Sequence, residues 1–235
     1  MRPSISIVIP IFNEEEILEE RIAYLIPELR KEFQNVEIVL SENGSVDRTK
    51  EIASHLASGD DAVSTFIDDG IADYGQALIN GINSTKYDEV SILELDYLDL
   101  DFLRSSYDLL SEYDLIIGSK KLSPGIDQRS WKRRLFTSLY NLLLRRIFHL
   151  KLTETHGLKT FRKSKLNAIT NNCVSRHAVY PSEFVIRACR DEKLEVCEIP
   201  LSLPLREIRS TRISASGRLK KTLDDLILLH RAIKS

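Results

Sequence analysis

Short apolar runs alternate with stretches of helical periodicity along the first half of the chain. Ile5–Pro10 reads Ile-Ser-Ile-Val-Ile-Pro, a β-branched run that suits a buried strand. Helical spacing follows through Ile17, Ile22, Leu25 and Leu29, with Asn13 placed to cap that helix and Glu14–Glu16 favouring its positive first turn. Val36–Leu40 predicts a second strand, 41–45 a turn and Asp47–Leu56 a second helix. Ser64–Ile67, Glu89–Leu93 and Leu115–Gly118 predict three further strands, with helices over Tyr74–Ser84 and Phe102–Ser111 between them. Beyond Pro124-Gly125 the pattern changes to an amphipathic, basic helix over Arg134–Leu150. Glu183–Cys189 predicts a helix, Val196–Ile199 a strand and Leu219–Ile233 a terminal helix. Strands alternating with helices predict an α/β fold with a mainly parallel, doubly wound sheet flanked by helices. In such sheets ligands bind beyond the carboxyl ends of the strands.

The 235 residues suit one domain over 1–204, with 205–235 a basic, Ser-rich loop and a C-terminal amphipathic helix packed on or extending it. A 43% hydrophobic and 29% charged composition is that of a folded protein. The net charge of −2 gives no ground for a nucleic-acid partner. Cys173, Cys189 and Cys197 match no metal-binding spacing and read as reduced thiols, which places the chain in the cytoplasm. No stretch is long and apolar enough to span a bilayer.

Three strand ends carry candidate chemistry. Ile92-Leu-Glu-Leu-Asp96 ends an apolar strand in two carboxylates, and strand alternation would put Glu94 and Asp96 on one face, where they can share Mg²⁺ or Mn²⁺. Ser41-Glu-Asn-Gly-Ser-Val-Asp47 is a strand, a glycine turn and a helix start, a layout that offers polar groups to a base or ribose. Pro10-Ile-Phe-Asn-Glu14 also leaves a strand end. Each has a plainer reading: a solvated acidic junction for the first, and turn or helix capping for the other two.

The ordered series, Pro-x-x-Asn-Glu, Glu-Asn-Gly-Ser-x-Asp, Tyr-Gly-x-Ala and Glu-x-Asp, resembles the family 2 glycosyltransferases, which have the GT-A fold. Phe12 stands where that family has Tyr, Glu42-Asn43 where it has Asp-Asp, and Glu94 where it has the first metal-site Asp. Gly118-Ser-Lys-Lys121, Trp131-Lys-Arg-Arg134, Thr155-His-Gly-Leu-Lys-Thr-Phe161, Glu183-Phe-Val-Ile-Arg187 and Glu198-Ile-Pro200 extend the likeness to the dolichyl-phosphate mannose synthase and polyprenyl-phosphate glycosyltransferase branch. The resemblance implies an inverting, metal-dependent transferase taking a nucleoside-diphosphate sugar to a lipid phosphate such as polyprenyl phosphate. It implies that Pro10, Phe12, Asn13, Glu14, Glu42, Asn43, Gly44, Ser45 and Gly75 hold the nucleotide. Glu94 and Asp96 would hold Mg²⁺ or Mn²⁺, and Lys120, Arg133, Arg134, Arg209 and Arg212 the diphosphate and acceptor phosphate. His156 and Glu183 are placed near the acceptor, with structural roles as the alternative: a hydrogen-bonded histidine, and a buried partner for a cation. Leu98 stands where the branch often has a polar ligand.

Two other functions fit the same residues. One is a transferase acting on a soluble glycan or metabolite; the other is a catalytically silent nucleotide-binding protein. The stretch Trp131–Leu152, with Trp131, Leu135, Phe136, Leu139, Leu142, Leu143, Ile147 and Phe148 beside Lys132, Arg133, Arg134, Arg145 and Arg146, fits either a helix packed on the sheet or peripheral contact with the cytoplasmic face of a membrane.

Overall fold

The computed structural model describes residues 1–70, 72–123, 128, 130–175, 179–202 and 215–234; the side chains of Arg133, of 215–223 and of Lys234 lie outside that description. A seven-stranded sheet is built from β1 (Arg2–Ile11), β2 (Phe33–Asn43), β3 (Val63–Asp68), β4 (Glu89–Ile92), β5 (Leu115–Ser119), β6 (Lys159–Arg162) and β7 (Val196–Pro200). The helices are α1 (Leu18–Glu32), α2 (Thr49–Gly59), α3 (Tyr74–Ser84), α4 (Leu100–Asp108), α5 (Trp131–Phe148), α6 (Lys163–Asn172), α7 (Tyr180–Arg190) and α8 (Ala215–Lys234). Strand order is β3-β2-β1-β4-β6-β5-β7, and β6 alone runs antiparallel to both its neighbours.

Burial on both faces explains the near-continuous apolar strands, and side-chain alternation still sorts them. Ile5, Ile7, Ile9 and Ile11 of β1 join one core with Leu18, Ile22, Leu25 and Leu29 of α1 and Phe102 of α4. Val8, Val39 and Val90 face the other way, against Leu78 and Ile82 of α3 and Phe184 and Val185 of α7. A third cluster joins Leu144 and Phe148 of α5, Ile186 of α7 and Leu226 and Leu229 of α8.

Two local expectations are corrected. Asn13 does not cap α1: it takes a left-handed φ of 54°, and the helix starts at Leu18 with Glu19 and Glu20 in its first turn. The segment 12–17 instead forms turns that pack on the loop after β2. β6 and α6, which the hydrophobic pattern did not mark, follow His156-Gly157. β6 carries Lys159 and Thr160, so its apolar signal is only Phe161 and the preceding Leu158.

Candidate functional site

The carboxyl ends of β1, β2, β3 and β4 lie along one edge of the sheet. Register pairs Ile11 with Glu42 and Asn43 with Asp68, and the Leu93 N–H continues the edge by donating to the Val8 carbonyl. The loops that leave β1 and β2 lock together. Asn13 N–H donates to Ser45 Oγ at 3.0 Å, Val46 N–H to Asn13 Oδ1 at 3.0 Å, and Glu14 N–H to Thr49 Oγ1 at 2.7 Å. Gly44 has a φ of +73°, and a Cβ there would lie 2.7 Å from the Gly70 carbonyl oxygen. Only glycine meets both conditions without strain.

These contacts fix what the nucleotide candidates can offer. Glu42 is wholly buried; one oxygen accepts from Ser45 N–H at 2.5 Å and the other faces the Lys50 ammonium at 4.0 Å. Asn43 and Ser45 are also buried, and Gly75 is buried in the first turn of α3, behind the Asp73 cap. Phe12 by contrast is 43% exposed. Pro10 pairs with Ser41 in the sheet.

The acidic pair sits just past β4, on a turn rather than on the strand. Tyr97 N–H donates to the Glu94 carbonyl at 2.8 Å, so 94–97 folds back on itself. The strand-alternation argument for Glu94 and Asp96 therefore fails, because a Leu-Glu-Leu-Asp pattern looks the same in a strand and in this turn. The turn separates their environments. Asp96 is exposed, while Glu94 is half-buried and accepts a hydrogen bond from the Tyr74 hydroxyl at the start of α3. Burial raises the Glu94 carboxyl above its ordinary range, the Tyr74 bond opposes this, and Asp96 adds to it. Leu98 turns into the core, and buried Asp99 caps α4 by accepting from Phe102 N–H at 3.0 Å, so neither adds an oxygen to the turn.

Behind the turn lies a buried ionic group. Lys159 of β6 donates to the Gly157 carbonyl at 2.8 Å; burial lowers its ammonium to about 8, with Glu154 and Glu94 opposing. Buried Glu154 accepts N–H bonds from Thr155 and His156, both at 3.0 Å, and stands 3.5 Å from Lys120 Nζ. Burial pushes its carboxyl up, but Lys120, His156 and the two N–H groups outweigh it and bring it down to about 2. A folded pKa below the unfolded one stabilises the protein above the unfolded value, and the gain is lost as pH falls from 4.5 toward 2. The expected loss from this one group is about 3 kcal/mol. Urea midpoints at pH 6 and pH 3 should therefore differ more for the parent chain than for Glu154→Gln; equal differences would remove Glu154 from the acid response.

His156 joins this group to the helical layer. Its Nδ1 lies 3.2 Å from Thr155 Oγ1 and 3.5 Å from Ser182 Oγ, and the Tyr140 ring of α5 meets it edge-on at 5.6 Å. Of the two roles expected for Glu183, the structure shows the structural one. The carboxylate is buried and accepts from Val174 N–H, Ser175 N–H and Arg187 Nε at 3.1, 2.6 and 2.7 Å. Glu183 thus positions Val174 and Ser175 against α7 instead of facing an acceptor. Arg209 and Arg212 lie outside the described residues, as does the Arg133 side chain; Arg134 lies in the first turn of α5. Tyr74, Glu154 and Lys159 are the site residues that sequence reasoning missed. Tyr74 and Lys159 stand inside the motifs Tyr-Gly-x-Ala and Thr155–Phe161, but were given no role there.

Comparison with known proteins gives the family and the fold. The model of the family described as "Glycosyl transferase family 2" matches residues 6–170. Glycosyltransferase AglD of Haloferax volcanii is 26% identical over 203 residues, covering 84% of this chain and 32% of that protein. The undecaprenyl-phosphate 4-deoxy-4-formamido-L-arabinose transferase of Edwardsiella ictaluri is 29% identical over 187 residues, covering 75% of this chain and 54% of that protein. The chain thus spans between about a third and about half of the length of these curated relatives. Among solved structures, glucosyl-3-phosphoglycerate synthase from Mycobacterium tuberculosis superposes with a TM-score of 0.65 at 18% identity, covering 96% of this chain and 79% of that one. Matched by that family model over residues 6–170, the chain belongs to glycosyl transferase family 2.

Proposed function

We propose that this chain transfers a sugar from a nucleoside-diphosphate sugar to a lipid phosphate of the polyprenyl type, with inversion at the anomeric carbon. The observation that carries the reading is the exposed Asp96 carboxylate beside Glu94, on a turn at the same sheet edge as the interlocked loops after β1 and β2. Its support for the donor is the family, together with a neighbour of the same fold that was crystallised with Mn²⁺ and UDP. Its support for the acceptor is the relative named for undecaprenyl phosphate.

The residues fit a divalent cation. Carboxylate oxygens suit Mg²⁺ and Mn²⁺, and Mg²⁺ is commonly held by one or two carboxylates plus substrate phosphates. Among the described residues no group of three or more His, Cys, Asp or Glu could hold a metal ion, so the substrate's phosphates would have to supply the remaining ligands. Asp96, helped by Glu94, would hold the ion, which would neutralise charge on the departing diphosphate. The chain's own residues do the rest. Tyr74 fixes the Glu94 rotamer, and Phe12 offers its exposed face to the base. Lys120, held by Glu154, supplies positive charge on the acceptor side, with His156 next to it. An acceptor phosphate oxygen attacks the anomeric carbon, its bond to that carbon forms, and the bond to the diphosphate oxygen breaks with its electron pair. The acceptor is already an anion at neutral pH, so no general base has to remove a proton; positioning and charge stabilisation carry the catalysis.

A thermal-shift screen of nucleoside diphosphates, each with and without Mn²⁺, tests the donor half. Binding to the native state at a hundred times Kd adds about 2.7 kcal/mol, a rise of roughly 5–10 °C for a chain of this size. One base should give that rise only with the metal. No rise with any of them would sink the reading.

A further inference from the structure

α5 presents an exposed face with a regular composition. Trp131, Leu135, Leu139 and Leu142 are 67%, 59%, 46% and 47% exposed. At about 100° per residue they fall within about 80° of arc and extend over roughly 16 Å of helix. Leu144 and Phe148, which are buried against α7 and α8, lie on the opposite side. Lys132 borders the apolar stripe on one side and Arg134 and Arg145 on the other, while Arg146 continues it beyond Leu142. The eighteen residues of α5 include no Asp or Glu, although the whole chain carries a net charge of −2. Positive charge is thus segregated onto the helix that also exposes the apolar stripe.

We propose that this face of α5 is a docking surface for an anionic lipid bilayer, with the stripe entering the headgroup boundary and the cations meeting lipid phosphates. The function of such docking rests on the lipid-phosphate reading above; its geometry does not. A second copy of the chain is a poor occupant, because a two-fold contact would bring two acid-free, cationic faces together. The opposite side of α5 contacts the site. Tyr140 of α5 lies 3.2 Å from Ser182 Oγ, which lies 3.0 Å from Thr155 Oγ1, and the Thr155 N–H is held by Glu154. Docking would therefore leave α5 lying between the bilayer and the Lys120–Glu154–His156 group, about one helix diameter apart.

Trp131 is the only tryptophan, so its emission reports on the stripe alone. The full chain should show a blue shift and co-float with vesicles in which about a third of the phosphatidylcholine is replaced by phosphatidylglycerol. Pure phosphatidylcholine vesicles should bind far less, and high salt should weaken the anionic case. The triple variant L135Q/L139Q/L142Q should lose at least tenfold in vesicle affinity while keeping the Mn²⁺-dependent stabilisation by nucleoside diphosphate. If that variant does not fold, Leu135→Gln alone should still weaken binding. Three results would overturn the proposal: no shift with anionic vesicles, affinity unchanged in the folded variants, or emission already blue-shifted without lipid in a self-associating chain. Transfer to a short, water-soluble prenyl phosphate separates the two readings. Transfer without vesicle binding removes the docking surface and keeps the acceptor; vesicle binding without transfer removes the acceptor and keeps the surface.

Discussion

Asp96→Ala is expected to remove metal-dependent binding of a nucleoside diphosphate and to lower sugar transfer by about a thousandfold, with the fold unchanged. The side chain is exposed and is not part of the core, so its loss should move the melting temperature of the ligand-free chain little. A thousandfold is about 4 kcal/mol of transition-state stabilisation, a scale set by removing one charged partner from a diphosphate that gains charge as it leaves. Glu94→Gln should behave differently. It keeps an oxygen for the Tyr74 hydroxyl but loses charge, so its defect should be smaller and partly recovered at higher Mn²⁺. Calorimetry with Mn²⁺ and the diphosphate checks both. Binding by Asp96→Ala equal to that of the parent would place the metal elsewhere and would favour a catalytically silent or differently built site.

The contrast between these two carboxylates was only half legible in the sequence. The chain shows two acids past a strand, and that was enough to find them. Their unequal surroundings depend on a turn at 94–97 and on Tyr74, a residue twenty positions away that α3 brings alongside. Parallel strands with apolar runs were readable because burial on both faces leaves a composition signal. β6 was not, because an antiparallel strand with a buried lysine and threonine has almost no hydrophobic contrast. Glu154 was hidden for a related reason: its partner Lys120 lies 34 positions away in the chain, and such a pair is defined by distance in space. Gly44, by contrast, was found from its turn motif, since a positive φ is a local requirement.

Gly157→Ala joins fold and site in one expected result. A Cβ on residue 157 would lie 1.8 Å from the Gly118 carbonyl oxygen and 2.9 Å from its carbon. Both are backbone atoms, so no side chain can rotate away. Gly118 is itself confined, since a Cβ there would meet Leu201 at 2.4 Å and Phe102 at 3.1 Å. The Gly118 N–H donates to the Leu158 carbonyl at 2.8 Å, so moving either segment breaks the β5–β6 edge. We expect a loss of about 4 kcal/mol or more, at the upper end for single substitutions, and a fall in melting temperature of roughly 8–16 °C. The two strands of chain carry Lys120 on one side and Glu154 and His156 on the other, so whatever folded protein remains should also transfer sugar poorly. The separation is made by measuring donor binding below the lowered melting temperature. Diphosphate affinity should be near that of the parent, because Asp96 and the loops after β1 and β2 are untouched, while turnover should fall. Loss of donor affinity in step with turnover would mean that the 118–120 and 154–157 segments support the nucleotide side of the site instead of the acceptor side.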